Sequence, residues 1–155
     1  MIIMFEIKSP NKFLRQLIIV EFILGLGLIA LGSFLLIDLY VYIYINRRFS
    51  KYPVFETIFN VLLIIAGVLK VIAFLLIKKS NQRGLKLSMI SFVLLGVNFL
   101  FYSIFIFVID LTRVLSGLHF LASSIWFILF FTLFIISSLF FLTIFKNREN
   151  LKKQI

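Results

Sequence analysis

The sequence predicts an all-α integral membrane protein, a four-helix up-down-up-down bundle with both termini cytoplasmic. Four long apolar runs, at about 17–37, 54–77, 85–109 and 118–145, account for nearly all of the 155 residues. Each is long enough to cross a hydrocarbon core ~30 Å thick, which takes roughly 20 residues at ~1.5 Å per residue. The chain is 63% hydrophobic and only 14% charged, with a mean hydropathy of +1.17, whereas a soluble domain carries about 25% charged residues. All four runs are apolar around their whole circumference, so a soluble core of four buried helices would lack the polar surface to cover itself. One membrane domain over 1–155 is the count that fits, with spans at about 14–38, 54–77, 85–109 and 118–145.

The first helix starts near Arg15. Ala30-Leu31-Gly32 imitates a signal-peptide cleavage site, but the apolar run continues past it and Glu21 interrupts what should be a clean apolar region, so an uncleaved first span is expected. Asp38 is expected to mark the outer end of this helix. Beyond it, residues 39–45 alternate tyrosine with aliphatic side chains. Period two and β-branching favour an extended segment, and interfacial tyrosines favour a continued helix; both readings stand.

Pro53 opens the second helix, in keeping with the first-turn preference of proline. Lys78-Lys79-Ser80-Asn81-Gln82-Arg83-Gly84 reads as a tight basic inner turn. Asp110 to Gly117 reads as a short outer turn, with Thr112 or Ser116 as a cap for the fourth helix. The tail from Lys146 is expected to be solvated and frayed. Short connections make neighbouring helices antiparallel.

Charge supports the orientation. With both ends inside, eleven Lys and Arg fall inside and four outside, the bias the positive-inside rule favours. Arg47, Arg48 and Lys51, in the first outer loop, run against it. The net charge of +10 does not point to nucleic acid, because no aromatic-interleaved basic patch or recognition-helix pattern lies outside the apolar runs. The basic residues sit where anionic headgroups would meet them. The expected partners are the bilayer and either further copies of the chain or a larger membrane complex.

The absence of cysteine excludes thiolate, disulfide and iron–sulfur chemistry. One histidine and six acidic residues are poor material for a metal centre, so neither metal nor cofactor is expected. The 21 phenylalanines read as bulky apolar surface. Catalytic motifs are missing: no His-Glu-x-x-His, no Gly-x-Ser-x-Gly, no phosphate-cradling loop and no paired intramembrane aspartates. Ser123 stands four residues from His119 without an orienting acid, so no enzyme is predicted.

Polar residues inside the spans are the best pointers, since each is costly in lipid unless partnered. On the second helix Asn60, Gly67 and Lys70 fall within about 40° of Glu56 around the axis. Lys70 lies on the order of 12 Å from the inner basic pair, and Glu21 on the order of 9 Å above Arg15. Similar depth on adjacent helices predicts a Glu21–Lys70 ion pair; the competing reading has Lys70 snorkelling inward and Glu21 protonated or reaching the headgroups. Ser88, Ser91, Asn98 and Tyr102 form a stripe with Leu95 on the third helix, and Asn98 and Asn60 are placed to bond across the interface. His119, Ser123 and Trp126 share a face of the fourth helix, with Ser137 further in. Gly25 and Gly32, and Ala66 and Ala73, each seven apart, permit close helix approach. The outer ends gather Asp38, Glu56, Asp110, Arg113 and His119, either a solvated rim or a cation- or proton-handling cluster.

Ser50, the run Ile58-Phe59-Asn60-Val61-Leu62-Leu63-Ile64-Ile65-Ala66-Gly67, and Gly117-Leu118-His119-Phe120-Leu121-Ala122 resemble domain-of-unknown-function family 998, itself similar to the Frag1/DRAM-like membrane proteins. The resemblance covers about 20–142 and the first four of that family's five or six helices. It implies a membrane helix bundle with Ser50, Asn60 and His119 as carried-over positions, and no established reaction. Lys51-Tyr52-Pro53 replaces the family's Leu-Gly after Ser50, and the third helix lacks its Phe-Pro ending. Three functions follow from these readings: a non-catalytic accessory or self-associating membrane component; an oligomeric transporter or channel lined by the polar stripes of helices two and three; and, weakest, a lipid-modifying enzyme built on Asp110 and His119.

Overall fold

A computed structural model describes residues 10–41, 43, 53–115 and 121–153, with side chains at all of these except 10, 11, 109–115, 121–124 and 126. The elements are α1 (Pro10–Tyr40), α2 (Pro53–Lys78), α3 (Arg83–Leu115), α4 (Leu121–Lys146) and a short α5 (Arg148–Lys152). No strand occurs among the described residues. Four of the helices are long and apolar enough to cross a membrane.

α1 extends through Asp38 to Tyr40, with Val41 and Ile43 in the wider π-helical turn. The extended reading of residues 39–45 therefore fails where it is described. A helix keeps backbone groups paired at the membrane boundary, where a lone strand cannot, and Tyr40, 59% exposed, stands at the helix end. α2 begins at Pro53 as expected, with Glu56 in its first turn and Lys78 in its last, both favourable to the helix dipole.

The α2–α3 turn is closed by two interlocking bonds: Asn81 N–H donates to Leu76 O and Ser80 N–H to Ile77 O, each at 2.9 Å. This is a Schellman stop, and Ser80 occupies its left-handed position at φ 54°. Asn81 Oδ1 then accepts from Arg83 N–H at 2.9 Å, capping the start of α3.

Asp110 to Leu115 is not an outer turn but the last part of α3; that segment contains no helix breaker before Gly117, so the helix runs on beyond its apolar span, with Thr112 inside α3. The tail is not frayed from Lys146. Asn147 N–H and Asn147 Nδ2 both donate to Thr143 O, at 3.2 and 2.9 Å, and the chain turns there into α5, which buries Leu151 completely.

α1 packs on α2, α2 on α3 and α3 on α4, whereas α1 and α4 scarcely meet. Partner numbers descend on one helix as they ascend on the next. Gly25 faces Gly67 and Val71 while Gly32 faces Asn60 and Ile64; Phe92 stacks on Phe140 while Phe107 meets Phe127. Two apolar clusters result. One holds Leu17, Ile77, Leu85, Phe92, Ile144 and Leu151, from all five helices. The other holds Phe59, Leu63, Ala66, Leu95 and Phe99. Much of the remaining apolar surface faces outward, including Phe34 at 66% and Ile125 at 68% exposure, a distribution suited to lipid and far beyond the patches a soluble monomer exposes.

The α1–α2 seam brings two backbones into close contact at more than one level. A Cβ placed on Gly67 would lie 2.8 Å from Gly25 O, and one on Gly32 2.9 Å from Asn60 O. In lipid the apolar side chains gain little from leaving the solvent, so association rests on such close packing and on interhelical polar contacts. Gly25 and Gly32 serve here as expected, with Gly67 opposite.

Candidate functional site

Between the two apolar clusters, three helices bring together one carboxylate, one ammonium and one hydroxyl. Lys70 Nζ on α2 lies 3.2 Å from Glu21 Oε1 and 3.4 Å from Glu21 Oε2 on α1. Ser88 Oγ on α3 donates to the same Oε1 at 2.7 Å. The ammonium also sits over the Phe92 ring, 3.2 Å from its centroid, a cation–π contact that is strongest when desolvated. Glu21, Lys70, Ser88 and Ser91 all have 0% exposure.

The chain places these groups by simple register. Glu21 is one turn from Leu17, Lys70 one turn from Ala66, and Ser88 one turn from Phe92, so each polar group rides on a helix face already committed to the core. An isolated charge taken from water costs several kcal/mol, and attraction between partners offsets this only when further hydrogen bonds complete the set. Ser88 and the Phe92 face supply that completion. The ion pair expected from depth alone is thus present; the sequence reading missed that Ser88 and Phe92 finish it. Both lie on the α3 polar stripe or one turn from it, so the signal was available in their spacing. The snorkelling alternative for Lys70 does not occur.

Asn60 and Asn98 do not bond to each other's side chains as expected. Asn98 Nδ2 donates instead to Phe59 O at 3.2 Å. The two sides of α2 explain this: Phe59 packs towards α3, 6.5 Å from Phe99 between ring centroids, whereas the Asn60 carbonyl lies against α1 at Gly32. Asn60 and Asn98 are both buried, at 5% and 4% exposure. Ser91 Oγ donates within α3 to Ser88 O at 2.7 Å, and Tyr102 is half-buried, 4.0 Å from Phe59 between ring centroids.

Asp38 is exposed and Glu56 half-buried. Asp110 and Arg113 lie in α3 with their side chains outside the description, as do the side chains of Ser123 and Trp126; His119 and Ser50 fall outside the described residues. Among the described residues, no group of three or more His, Cys, Asp or Glu is placed to hold a metal ion.

Fold and site together define a class: a helical bundle with four helices able to cross a membrane, carrying a sealed ion pair at the junction of its first three helices. Comparison with known proteins finds no matching family model, no matching curated protein and no matching solved structure.

Proposed function

We propose that this chain is a non-catalytic, multi-pass component of the cell membrane that acts by lateral association, with itself or within a larger membrane complex. One observation carries this reading: the charged centre is fully covered, and its hydrogen-bonding capacity is turned inward on α1, α2 and α3. Polar groups used this way specify which helices pair and at what register, the best-attested role for buried charge. The reversed registers of successive helices support an up-down-up-down traverse, and the excess of Lys and Arg at one end supports cytoplasmic termini. The outward apolar faces of α1 and α4, which scarcely touch each other, are where lateral contacts would form. The resemblance to family 998 is compatible with this role and adds no reaction to it.

Detergent-solubilised mass tests the proposal: a defined oligomer or a co-purifying membrane partner is expected, and a strictly monomeric, partnerless particle would refute it. A second reading, an oligomeric transporter or channel, is favoured by the ionisable pair at mid-span, because such residues commonly mark ion or proton paths. Flux in proteoliposomes that disappears with Lys70→Leu would establish it in place of the first.

A further inference from the structure

On the flank of the bundle, α3 and α4 leave an open groove of about 480 Å³, within the ~300–1,000 Å³ typical of small-molecule sites. Met89, Ile90, Val93, Leu94 and Val97 of α3 and Phe141 of α4 form its apolar walls, and Lys86 and Arg148 are its basic residues. The α3 residues share one face, each lying three or four positions from another of the set. From Lys86 to Val97 the helix rises about 16 Å, close to half of a ~30 Å hydrocarbon core. The groove therefore runs the depth of one leaflet. Its charges sit only at the end near Lys78, Lys79 and Arg83, where the headgroups belong.

We infer that this groove holds one acyl chain of an anionic glycerophospholipid from the leaflet on the side of the termini, with Lys86 and Arg148 binding its phosphate. Charge complementarity selects the anionic lipid over a zwitterionic one. The neighbouring carboxylate, Glu149, accepts from Arg148 Nε at 3.3 Å and from Lys152 Nζ at 2.8 Å. That contact takes one edge of the guanidinium, leaving its terminal nitrogens to the phosphate. Ile90, Val93 and Val97, between 43% and 55% exposed, are the surface a chain would cover. The inference rests on the chain spanning a membrane, not on the accessory role.

Native mass spectrometry of the full-length protein, released from detergent after exposure to phosphatidylglycerol or phosphatidylcholine, tests it. One phosphatidylglycerol per chain should be retained in preference to phosphatidylcholine. Lys86→Gln with Arg148→Gln should weaken retention about thirtyfold, roughly fivefold for each basic residue near the surface. Val93→Trp should abolish retention with both charges in place, and Lys79→Gln with Lys153→Gln should leave it unchanged. Equal retention of both lipids, an unaffected Lys86/Arg148 double variant, or an equal loss in the Lys79/Lys153 control would overturn the inference. Displacement of the lipid by millimolar inorganic phosphate would reassign the site to a free anion. Extraction of the wild-type chain from vesicles by alkaline carbonate would instead strike at the membrane reading itself.

Discussion

Changing Glu21 to Gln leaves the Lys70 ammonium at 0% exposure without a counter-charge, held only by a neutral amide oxygen and the Phe92 face 3.2 Å away. Removing one partner of a buried pair typically costs 3–5 kcal/mol, and an unpaired charge at a helix centre ~2.5–3.5 kcal/mol on insertion scales. About 3 kcal/mol is expected, a shift of more than a hundredfold in the folding equilibrium. Lys70→Met leaves a covered carboxylate with the Ser88 hydroxyl alone, 2.7 Å away, and should lose a similar amount. The double variant removes both charges and keeps the volume. With no charge left uncompensated and the Ser88 hydroxyl still able to donate to the amide oxygen at position 21, it should fall within about 1 kcal/mol of wild type, as uncharged replacements of similar volume often do. Titration with dodecyl sulfate in mixed micelles, followed by fluorescence of the single tryptophan, Trp126, gives the four stabilities. Single losses that simply add in the double variant, about 6 kcal/mol in all on the same scale, would show that the two side chains act independently and would refute the reasoning.

The remaining predictions concern the packing around that pair and the tail. Ser88→Ala should cost about 2 kcal/mol, more than the ~0.6 kcal/mol of an average interhelical bond, because its acceptor is charged; the same titration reads it. Gly67→Ala brings a Cβ within 2.9 Å of backbone on α1 and should destabilise by about 1–3 kcal/mol as the seam opens. Gly27→Ala, with nothing within 4 Å of its Cβ, should be neutral or stabilising in the same titration. Glu149 is held below its ordinary value of 4.5, mainly by the hydrogen bond from Lys152. A lowered carboxyl value stabilises above the unfolded-state value and is lost as pH falls through the lowered one. The protection factor of the Leu151 amide, its exchange measured against the intrinsic rate at each pH, should therefore begin to fall below about pH 4.5, and Glu149→Gln should remove that step.

What could be read from the chain was whatever lipid enforces. Twenty-odd apolar residues in a row have few alternatives to a helix, so the spans were legible, and two opposite charges at similar depth on neighbouring helices made the Glu21–Lys70 pair one of two open readings. The misreadings came where water relaxes the constraint. Beyond the apolar span, Asp110 to Leu115 is free to be helix or turn, and only the missing breaker decides. Leu151 looked solvated because one leucine among charges carries no period, yet it fills the end of the core once Asn147 redirects the chain. Asn98 was matched to the wrong acceptor because sequence lists side chains, while a carbonyl such as that of Phe59 exists at every position. Its choice depends on helix rotation, set by contacts like Phe59 with Tyr102.

The pairing of Glu21 with a residue 49 positions later also has a meaning in time. At a synthesis rate of ~5–20 residues per second, the carboxylate leaves the ribosome roughly 2–10 s before its counter-ion exists. The register of α1 against α2 can therefore be fixed by this pair only after both helices have been made.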